Sequence, residues 1–447
     1  MFRAVDATVN EKSKRNMQTT RQISSVGNHN GRNVRSWHVV LLLFMVAVLA
    51  GQFGLDRIDP RFESLGLFGQ ARFWMFFPAA LAVLRMNAPI GSRSALSSGN
   101  KRYVAMVILL HLYLAISALW TPRLLEGSQF VSNSNEVYGV LLLAGMAALV
   151  PRLFREATDE KIGFLFRFLL ITGIVYAVGG LSGAWHDADN DRMAAFGGGA
   201  NVFARILGMG TLSSIYFWLR SKRIIWLTPL PLFGAGIVLS GSRGSMLAFG
   251  LSLTFFVLIG FREITARWRG GVIAICGLMA ILSMSSLSSR VFPYWQERFI
   301  EQSLEDRYDS DRLVLFSQAV ETFSDHPTFG VGLDGFRRLS DFGEYTHNLF
   351  LQFAAEGGII GLTLLILALI GGVRAWVRSP TLEQRLLFVL AIFVLTAQMF
   401  SGSYYDARYM WLFFGVLWVA KDKENGRYGQ LSSATPVFRH PSLSCQS

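Results

Sequence analysis

The sequence predicts an all-α fold, a polytopic helical membrane protein with about 12 transmembrane helices and one large periplasmic loop that contains helices. Of its 447 residues 52% are hydrophobic and only 16% are charged, whereas soluble domains carry about 25% charged residues. The apolar residues fall in long runs, and at about 20 residues per crossing they suffice for about a dozen spans. This composition excludes a soluble enzyme, a disordered chain and a disulfide-rich secreted scaffold.

Twelve apolar runs define the order of the predicted elements. Residues 1–36 are polar and basic, which predicts a disordered cytoplasmic tail before a retained first span. Transmembrane helices 1 to 9 follow over 37–289, a periplasmic loop over 290–346, helices 10 to 12 over 347–420, and a second cytoplasmic tail over 421–447. The predicted spans are 37–54, 73–90, 103–120, 135–150, 162–181, 198–218, 223–240, 244–261, 271–289, 347–373, 383–400 and 404–420.

The distribution of Lys and Arg predicts the orientation of these spans. With a cytoplasmic N-terminus, each of the inner segments carries at least three Lys or Arg residues, while the short outer loops hold seven in total. The excess of positive charge on the cytoplasmic side is typical of inner-membrane proteins. We therefore expect both termini in the cytoplasm, and the net charge of +12 reflects this excess rather than binding to nucleic acid.

The segment 290–346 is the one long outer loop of the predicted topology. Its residues 311–320 place apolar side chains at helical spacing, which predicts an amphipathic helix. The following run 326–336 is rich in Gly and Pro and predicts tight turns. The loop is therefore expected to fold as a small cap that ends at His347, where the tenth span begins.

Arg243 is the most informative single residue, because it lies in a short turn of Gly and Ser between two apolar runs. A guanidinium fork together with backbone N–H groups of such a turn suits a phosphate oxyanion. The same pattern fits equally well an interfacial arginine whose side chain reaches the lipid headgroups.

Two further arginines precede that turn. Arg192 lies in the outer loop before a glycine-rich run, and by itself this position is typical of an ordinary loop charge. Arg205 lies about two turns inside the sixth predicted span, where a cation normally faces a cavity or a partner. It either lines the same outer site or pairs within the helix bundle.

His347 is the histidine at the outer start of a span, directly after the folded loop. Neutral imidazole, with a pKa near ~6.5, accepts a proton from a sugar hydroxyl at neutral pH. The alternative is a histidine that caps the helix or lies at the interface. His326, which precedes Pro327, is interpreted as a residue that structures the loop.

Metal and cofactor sites are not predicted. The chain has two cysteines, in no CxxC pattern, and no HExxH motif. The DxD pairs at 187–189 and 309–311 resemble the metal site of nucleotide-sugar glycosyltransferases, but they lie on the outer side, where nucleotide sugars are absent.

Taken together, three local patterns resemble the O-antigen ligase and O-antigen polymerase-like family of bacterial inner-membrane glycosyltransferases. They are the Ser-Gly-Ser-Arg-Gly run at 240–244, the loop segment 312–336 with its His-Pro-Thr-Phe-Gly-Val-Gly run, and the segment 347–361 that begins His-Asn-Leu-Phe-Leu-Gln. The arrangement of spans over 37–420 resembles the family as well.

The resemblance implies roles for four residues. Arg243 and Arg192 would bind the diphosphate of an undecaprenyl-diphosphate-linked glycan donor, and His347 would activate the acceptor hydroxyl. Arg312 matches a commonly basic position of the loop helix, where a functional role and a structural ion pair stay open. Arg205 has no such match and stays a second-rank candidate.

The implied reaction transfers the glycan to a lipid A–core sugar or to a growing polysaccharide chain, at the outer face of the bilayer and without a metal or cofactor. A transporter or flippase of lipid-linked glycans is the alternative from another class. Such a protein is expected to show pseudo-repeats and interrupted helices in both halves, which the sequence does not display. A purely structural scaffold would leave the arginines of the outer face unexplained.

Overall fold

A computed structural model describes residues 37–50, 53, 55, 60–86, 98–122, 129–155, 158–183, 192–196, 199–260, 312–376, 381–404 and 407–419. The predicted tails at 1–36 and 421–447, the ninth span at 271–289 and the loop residues 290–311 lie outside these ranges.

The described part of the chain is helical and contains no β-strand, which confirms the predicted all-α class. Two short 3-10 helices, Pro60–Gly69 and Ile224–Leu227, accompany the α-helices. The α-helices are α1 Trp37–Ala50, α2 Ala71–Met86, α3 Ser98–Ser117, α4 Gln129–Leu153, α5 Thr158–Leu181, α6 Gly199–Ser221, α7 Leu230–Leu239, α8 Arg243–Gly260, α9 Arg312–Asp325, α10 Gly335–Leu339, α11 Leu349–Trp376, α12 Leu382–Ser401 and α13 Arg408–Val419.

The membrane character of the chain is supported by helix length and composition. Five helices of the described residues are long and apolar enough to cross a bilayer, and they belong to α4, α5, α6, α11 and α12. Shorter apolar helices occupy Trp37–Ala50, Ile224–Leu239 and Arg408–Val419. The total of 12 spans stays a prediction. The helix α4 begins before its predicted start at 135, because its first turns are polar and escape a search for apolar runs.

The helix α6 lies at the centre of one group of helices, since 94% of its most apolar stretch is buried. It packs against α5, α7, α8 and α12. Close approach to α5 occurs at Gly173 and Gly210, where a Cβ added to Gly173 would lie 3.1 Å from the Gly210 Cα. Small residues at such crossings let membrane helices pack closely.

Two contacts mark the opposite ends of this group of helices. At the predicted inner end, Arg220 of α6 pairs with Glu383 of α12 at 3.1 Å. At the predicted outer end, the start of α8 packs on the end of α12, where a Cβ at Gly244 would lie 2.5 Å from the Phe400 Cβ. The turn before α8 therefore lies at the opposite end of the bundle from Arg220.

The part of the predicted loop that the structure describes is folded, and the predicted amphipathic helix is confirmed as α9. It packs with α10 on the first half of α11. We call residues 312–357 the loop unit. Its small core consists of Leu315, Ala319, Phe336 and Ala355, with Leu351 against it.

The helix α11 is interrupted, which corrects the single continuous span predicted at 347–373. Gly358 has φ 60° and ψ −162° and breaks the helix. The N–H of Ile359 donates to the Pro327 carbonyl at 2.8 Å, and the Ala355 carbonyl accepts from Val331 at 3.0 Å. The turn-rich segment of the loop unit thus fills the break, and its backbone replaces the missing bonds of the helix.

Candidate functional site

Arg243 is the first residue of α8 and follows a tight turn. We call residues 240–245 the serine turn. The Ser242 N–H donates to the Ser240 Oγ at 3.2 Å, and the Arg243 N–H donates to the Gly241 carbonyl at 3.2 Å. The sequence had suggested open amides at this turn, but these two amides are occupied, because the Ser240 side chain and the backbone fold back on them.

Arg192 fastens the serine turn to the start of α6. Its Nε donates to the Ser240 carbonyl at 2.9 Å, and its Nη2 donates to the Asn201 Oδ1 at 3.2 Å. The Ser242 hydroxyl donates to the same Asn201 oxygen at 2.7 Å. Asn201, which the sequence did not single out, therefore joins the arginine to the turn.

Arg205 lies one helical turn deeper in α6 and is buried, with 7% of its surface exposed. Its Nε contacts the carbonyl oxygen of Asn201 at 3.4 Å, on the backbone of its own helix. Both interpretations offered for Arg205, a residue that lines the outer site and a cation that pairs within the bundle, stay predictions.

The structure brings Arg243 close to Arg312, the first residue of α9. Burial and the nearby charge of Arg243 lower the pKa of the Arg312 guanidinium below its usual range, while Tyr345 acts in the opposite direction. Neither α8 nor α9 has an acidic residue in its first turn. A helix N-terminus already favours negative charge, and the two cations add to the positive potential there.

His347 stands in a turn that its neighbours hold in place. Its backbone is left-handed, with φ 53°, which costs about 1–2 kcal/mol for a residue with a Cβ. The Thr346 Oγ1 accepts from the Asn348 N–H at 3.2 Å, and the Asn348 Oδ1 accepts from Phe350 and Leu351 at 3.0 and 3.2 Å. Asn348 is therefore the N-cap of α11. His347 lies one residue before this cap, in a turn whose backbone is strained.

The His347 imidazole lies near Arg312 and against Tyr345. Burial and the charge of Arg312 lower the pKa of His347 from 6.5 to about 4. The ring packs against Tyr345, with centroids 4.2 Å apart and planes inclined at 47°. Within the described chain its Nδ1 is buried and has no hydrogen-bond partner. The ring is thus neutral at pH 7 and has an unused nitrogen.

The five sequence candidates divide into two groups. Arg243, Arg312 and His347 come together across the start of α8, the start of α9 and the start of α11. Arg192 precedes α6 and contacts the serine turn and Asn201, whereas Arg205 lies within α6 and contacts the backbone of that helix. Tyr345 is a site residue that the sequence did not single out, because a lone tyrosine in a loop has no distinguishing pattern.

Residues 228–366 match the family model described as O-antigen ligase. The matched segment contains Arg243, Arg312 and His347, whereas Arg192 and Arg205 precede it. The match confirms the family resemblance drawn from the sequence, and it indicates a membrane glycosyltransferase of the ligase or polymerase type. No curated protein shows a significant match to the chain.

Proposed function

We propose that this chain transfers a glycan from undecaprenyl diphosphate to the hydroxyl of an acceptor sugar at the periplasmic face of the inner membrane. The observation that carries the proposal is the meeting of Arg243, Arg312 and His347. The first two are cations of different helices close enough to repel, and the third is a neutral base near Arg312.

The two arginines hold the diphosphate of the donor. Like charges held near each other are unfavourable until an anion lies between them, and a guanidinium binds phosphate oxygens in a bidentate manner. As the bond between the sugar and the diphosphate breaks, negative charge grows on the leaving group. Fixed cations stabilise that charge without a divalent metal.

His347 removes the proton of the acceptor hydroxyl. The acceptor oxygen forms a bond to the anomeric carbon, the bond from that carbon to the phosphate oxygen breaks, and its electron pair leaves with undecaprenyl diphosphate. The proton passes to the imidazole and then to solvent. Attack from the side opposite the leaving group inverts the anomeric carbon. A low pKa keeps His347 in its unprotonated form before the donor binds.

Arg192 supports this site in our proposal through the serine turn. Its two hydrogen bonds end on Ser240 and Asn201, and both partners define where α8 begins. Direct binding of the diphosphate by Arg192 is the role that the family resemblance implies. The two roles differ in their need for charge: a neutral side chain with N–H donors could keep the hydrogen bonds of the first role but not the binding of the second.

The predicted topology places the site outside the cytoplasm. Reporter fusions at residues 187, 242 and 320 should read periplasmic, while fusions at 221 and 380 should read cytoplasmic. A cytoplasmic signal from the fusion at residue 320 would contradict the proposed periplasmic location of the site, because it would place the loop unit on the other side of the bilayer.

A transporter or flippase is the alternative, and the interruption of α11 is the feature that it would use. Interrupted helices of transporters offer unpaired backbone groups to a substrate. In α11 the carbonyls of Ala355 and Glu356 accept from Val331 and Gly332 of the loop unit. These groups are thus already engaged, which favours the enzyme.

Reconstitution tests the proposal. The purified protein in lipid vesicles is given a defined undecaprenyl-diphosphate oligosaccharide with either a lipid A–core acceptor or an oligosaccharide acceptor, without added divalent cations. We expect a new glycosidic bond and one undecaprenyl diphosphate released for each bond formed, and the productive acceptor distinguishes ligase from polymerase. Movement of intact donor across the bilayer, with no new bond, would favour the flippase.

A further inference from the structure

Glu356 is a fully buried carboxyl in α11 for which the proposed reaction has no use. It is 0% exposed, and its Oε2 accepts from the Asp334 N–H at 3.1 Å and from the Tyr404 hydroxyl. Its Oε1 is buried without a hydrogen-bond partner among the described residues. A buried ionisable group is costly, and in membrane proteins such groups usually serve a function.

We infer that Glu356 is a positioning residue that fixes the loop unit, with Arg312 and His347, against the helices that carry Arg243. The inference rests on the proposed function, because it assigns how the two halves of that site are held together.

The first half of the site belongs to the loop unit. Arg312 begins α9, and the small core of the loop unit joins α9 to the first half of α11, which begins just after His347. The break at Gly358 separates this half from the rest of α11. The base and one cation therefore belong to one packed unit, and their position relative to the other helices depends on the contacts around the break.

The second half of the site belongs to the helix bundle. Arg243 begins α8, and the next residue, Gly244, packs against Phe400 at the end of α12. Tyr404 follows Phe400 by four residues, between α12 and α13. A hydrogen bond that ends on Tyr404 is therefore a tie to the same end of α12 that supports Arg243.

Glu356 makes that tie with a single oxygen atom. The hydroxyl of Tyr404 and the N–H of Asp334 both donate to its Oε2, and the Asp334 N–H also lies 3.3 Å from the Tyr404 oxygen. Asp334 has a left-handed backbone, with φ 63°, and its carboxylate pairs with Arg337 at 2.9 Å. The carboxyl of Glu356 thus fixes a strained turn of the loop unit and a residue of the bundle in one contact.

Other hydrogen bonds tie the loop unit to α3 and supply a matched control. The Tyr113 hydroxyl contacts the Phe329 carbonyl at 3.0 Å and the Gly357 carbonyl at 2.8 Å. Tyr113 and Tyr404 are both tyrosines that bond to the loop unit through their hydroxyl groups. They differ in the helix that they connect, and α3 carries no residue of the proposed site.

The test compares Tyr404→Phe with Tyr113→Phe, and Glu356→Gln with Glu356→Ala, in the full-length purified protein. Two quantities are measured: glycan transfer, and the affinity for inorganic pyrophosphate by calorimetry. Each variant is also combined with Arg312→Ala. If Glu356 and Tyr404 position Arg312, the effects of their substitutions and of Arg312→Ala on turnover should not be additive, since all of them act through the placement of the same guanidinium.

We expect Tyr404→Phe to lower turnover about 10-fold and to reduce the further effect of Arg312→Ala, because small displacements of a catalytic group are costly. Tyr113→Phe should change turnover less than about twofold and leave the effect of Arg312→Ala unchanged. Glu356→Gln keeps an oxygen that accepts both donors and should stay within about threefold of the wild type, whereas Glu356→Ala should not.

Three results separate the possibilities. If Glu356→Gln loses as much activity as Glu356→Ala, the carboxyl takes part in proton transfer and the positioning role is overturned. If the two tyrosine variants behave alike, the tie to α12 has no special role and the inference is also overturned. The tyrosine pair decides even where Glu356→Ala does not accumulate. If Arg243→Ala and Arg312→Ala leave pyrophosphate affinity unchanged, the proposed function fails, whatever Glu356 does.

Discussion

Two polar clusters meet at Arg243, and they differ in how their groups are satisfied. Around the serine turn, Arg192, Asn201 and the serines bond to one another, so that donors and acceptors match. At the start of the loop unit, Arg312 faces the charge of Arg243, and His347 keeps a buried nitrogen without a partner in the described residues.

The difference separates support from binding. Buried polar groups that satisfy each other form a rigid brace, since each is costly to leave unpaired. Groups of like charge held near each other favour an anion between them. We therefore interpret the serine turn as the brace that locates Arg243, and the space between Arg243, Arg312 and His347 as the place where the donor anion and the acceptor hydroxyl meet.

The largest expected effect follows from removing the base. His347→Ala should lower turnover by about 10²–10⁴-fold, the usual range for loss of a general base. Binding of the lipid-linked donor should change little, because in the proposed function the arginines hold the diphosphate. The measurement compares donor affinity with turnover in the purified variant.

His326 provides the control for this change, because it lies in the same loop unit but is exposed. His326→Ala should leave turnover within about twofold of the wild type. A loss of donor affinity as large as the loss of turnover in His347→Ala would make His347 a binding or structural residue, and the base would have to be sought elsewhere.

Removal of either cation should come next in size. Arg243→Ala and Arg312→Ala should each weaken pyrophosphate affinity and transfer by about 10- to 100-fold, the loss expected for hydrogen bonds to a charged group. Arg243→Lys should be nearly as poor, because a point charge does not replace a bidentate fork. Calorimetry with pyrophosphate and transfer assays measure both effects, and full activity of the lysine variant would reduce the role of Arg243 to simple charge.

Arg243 and His347 each stand at a recognisable boundary between an apolar run and a polar segment, and the family resemblance then assigned their roles. The sequence could not rank Arg312 above Arg192. Both are arginines near the outer ends of helices, and only the folding of α9 onto α11 brings Arg312 to the site. The partners of Arg192 are a backbone carbonyl and an asparagine, and no spacing in the sequence reveals such contacts.

The fold, like the site, was predictable in its local features but not in those that depend on tertiary contacts. Helix positions followed from apolar runs, and observed helices begin and end within a few residues of most predicted spans. The break at Gly358 was missed because apolar residues continue on both sides of it. A pair of glycines at 357–358 was the available signal, but glycine is common in membrane helices, and the filling of the break by the segment after His326 depends on tertiary contacts.

A third prediction concerns pH. The pKa of His347 in the free protein is lowered to about 4, so the acid limb of kcat/KM should lie near pH 4 rather than near 6.5. The limb of kcat, which reports the donor complex, should lie at higher pH, because the diphosphate offsets the charge of Arg312. In Arg312→Ala the kcat/KM limb should also move up. Coincident limbs near 6.5 in the wild type would contradict the proximity of Arg312.

The smallest expected effect decides between the two roles of Arg192. As a brace, Arg192 needs only N–H donors for the Ser240 carbonyl and the Asn201 side chain, so the neutral Arg192→Gln should lower transfer by only about three- to fivefold. As a ligand of the diphosphate it needs its charge, and Arg192→Gln should then be as poor as Arg243→Ala. Combination with Asn201→Ala sharpens the comparison, because two members of one brace give effects that are not additive. Transfer and pyrophosphate affinity are measured for both single variants and for the double variant. Additive losses, together with a large fall in pyrophosphate affinity for Arg192→Gln, would move Arg192 from the brace to the binding site and remove the distinction between the two clusters.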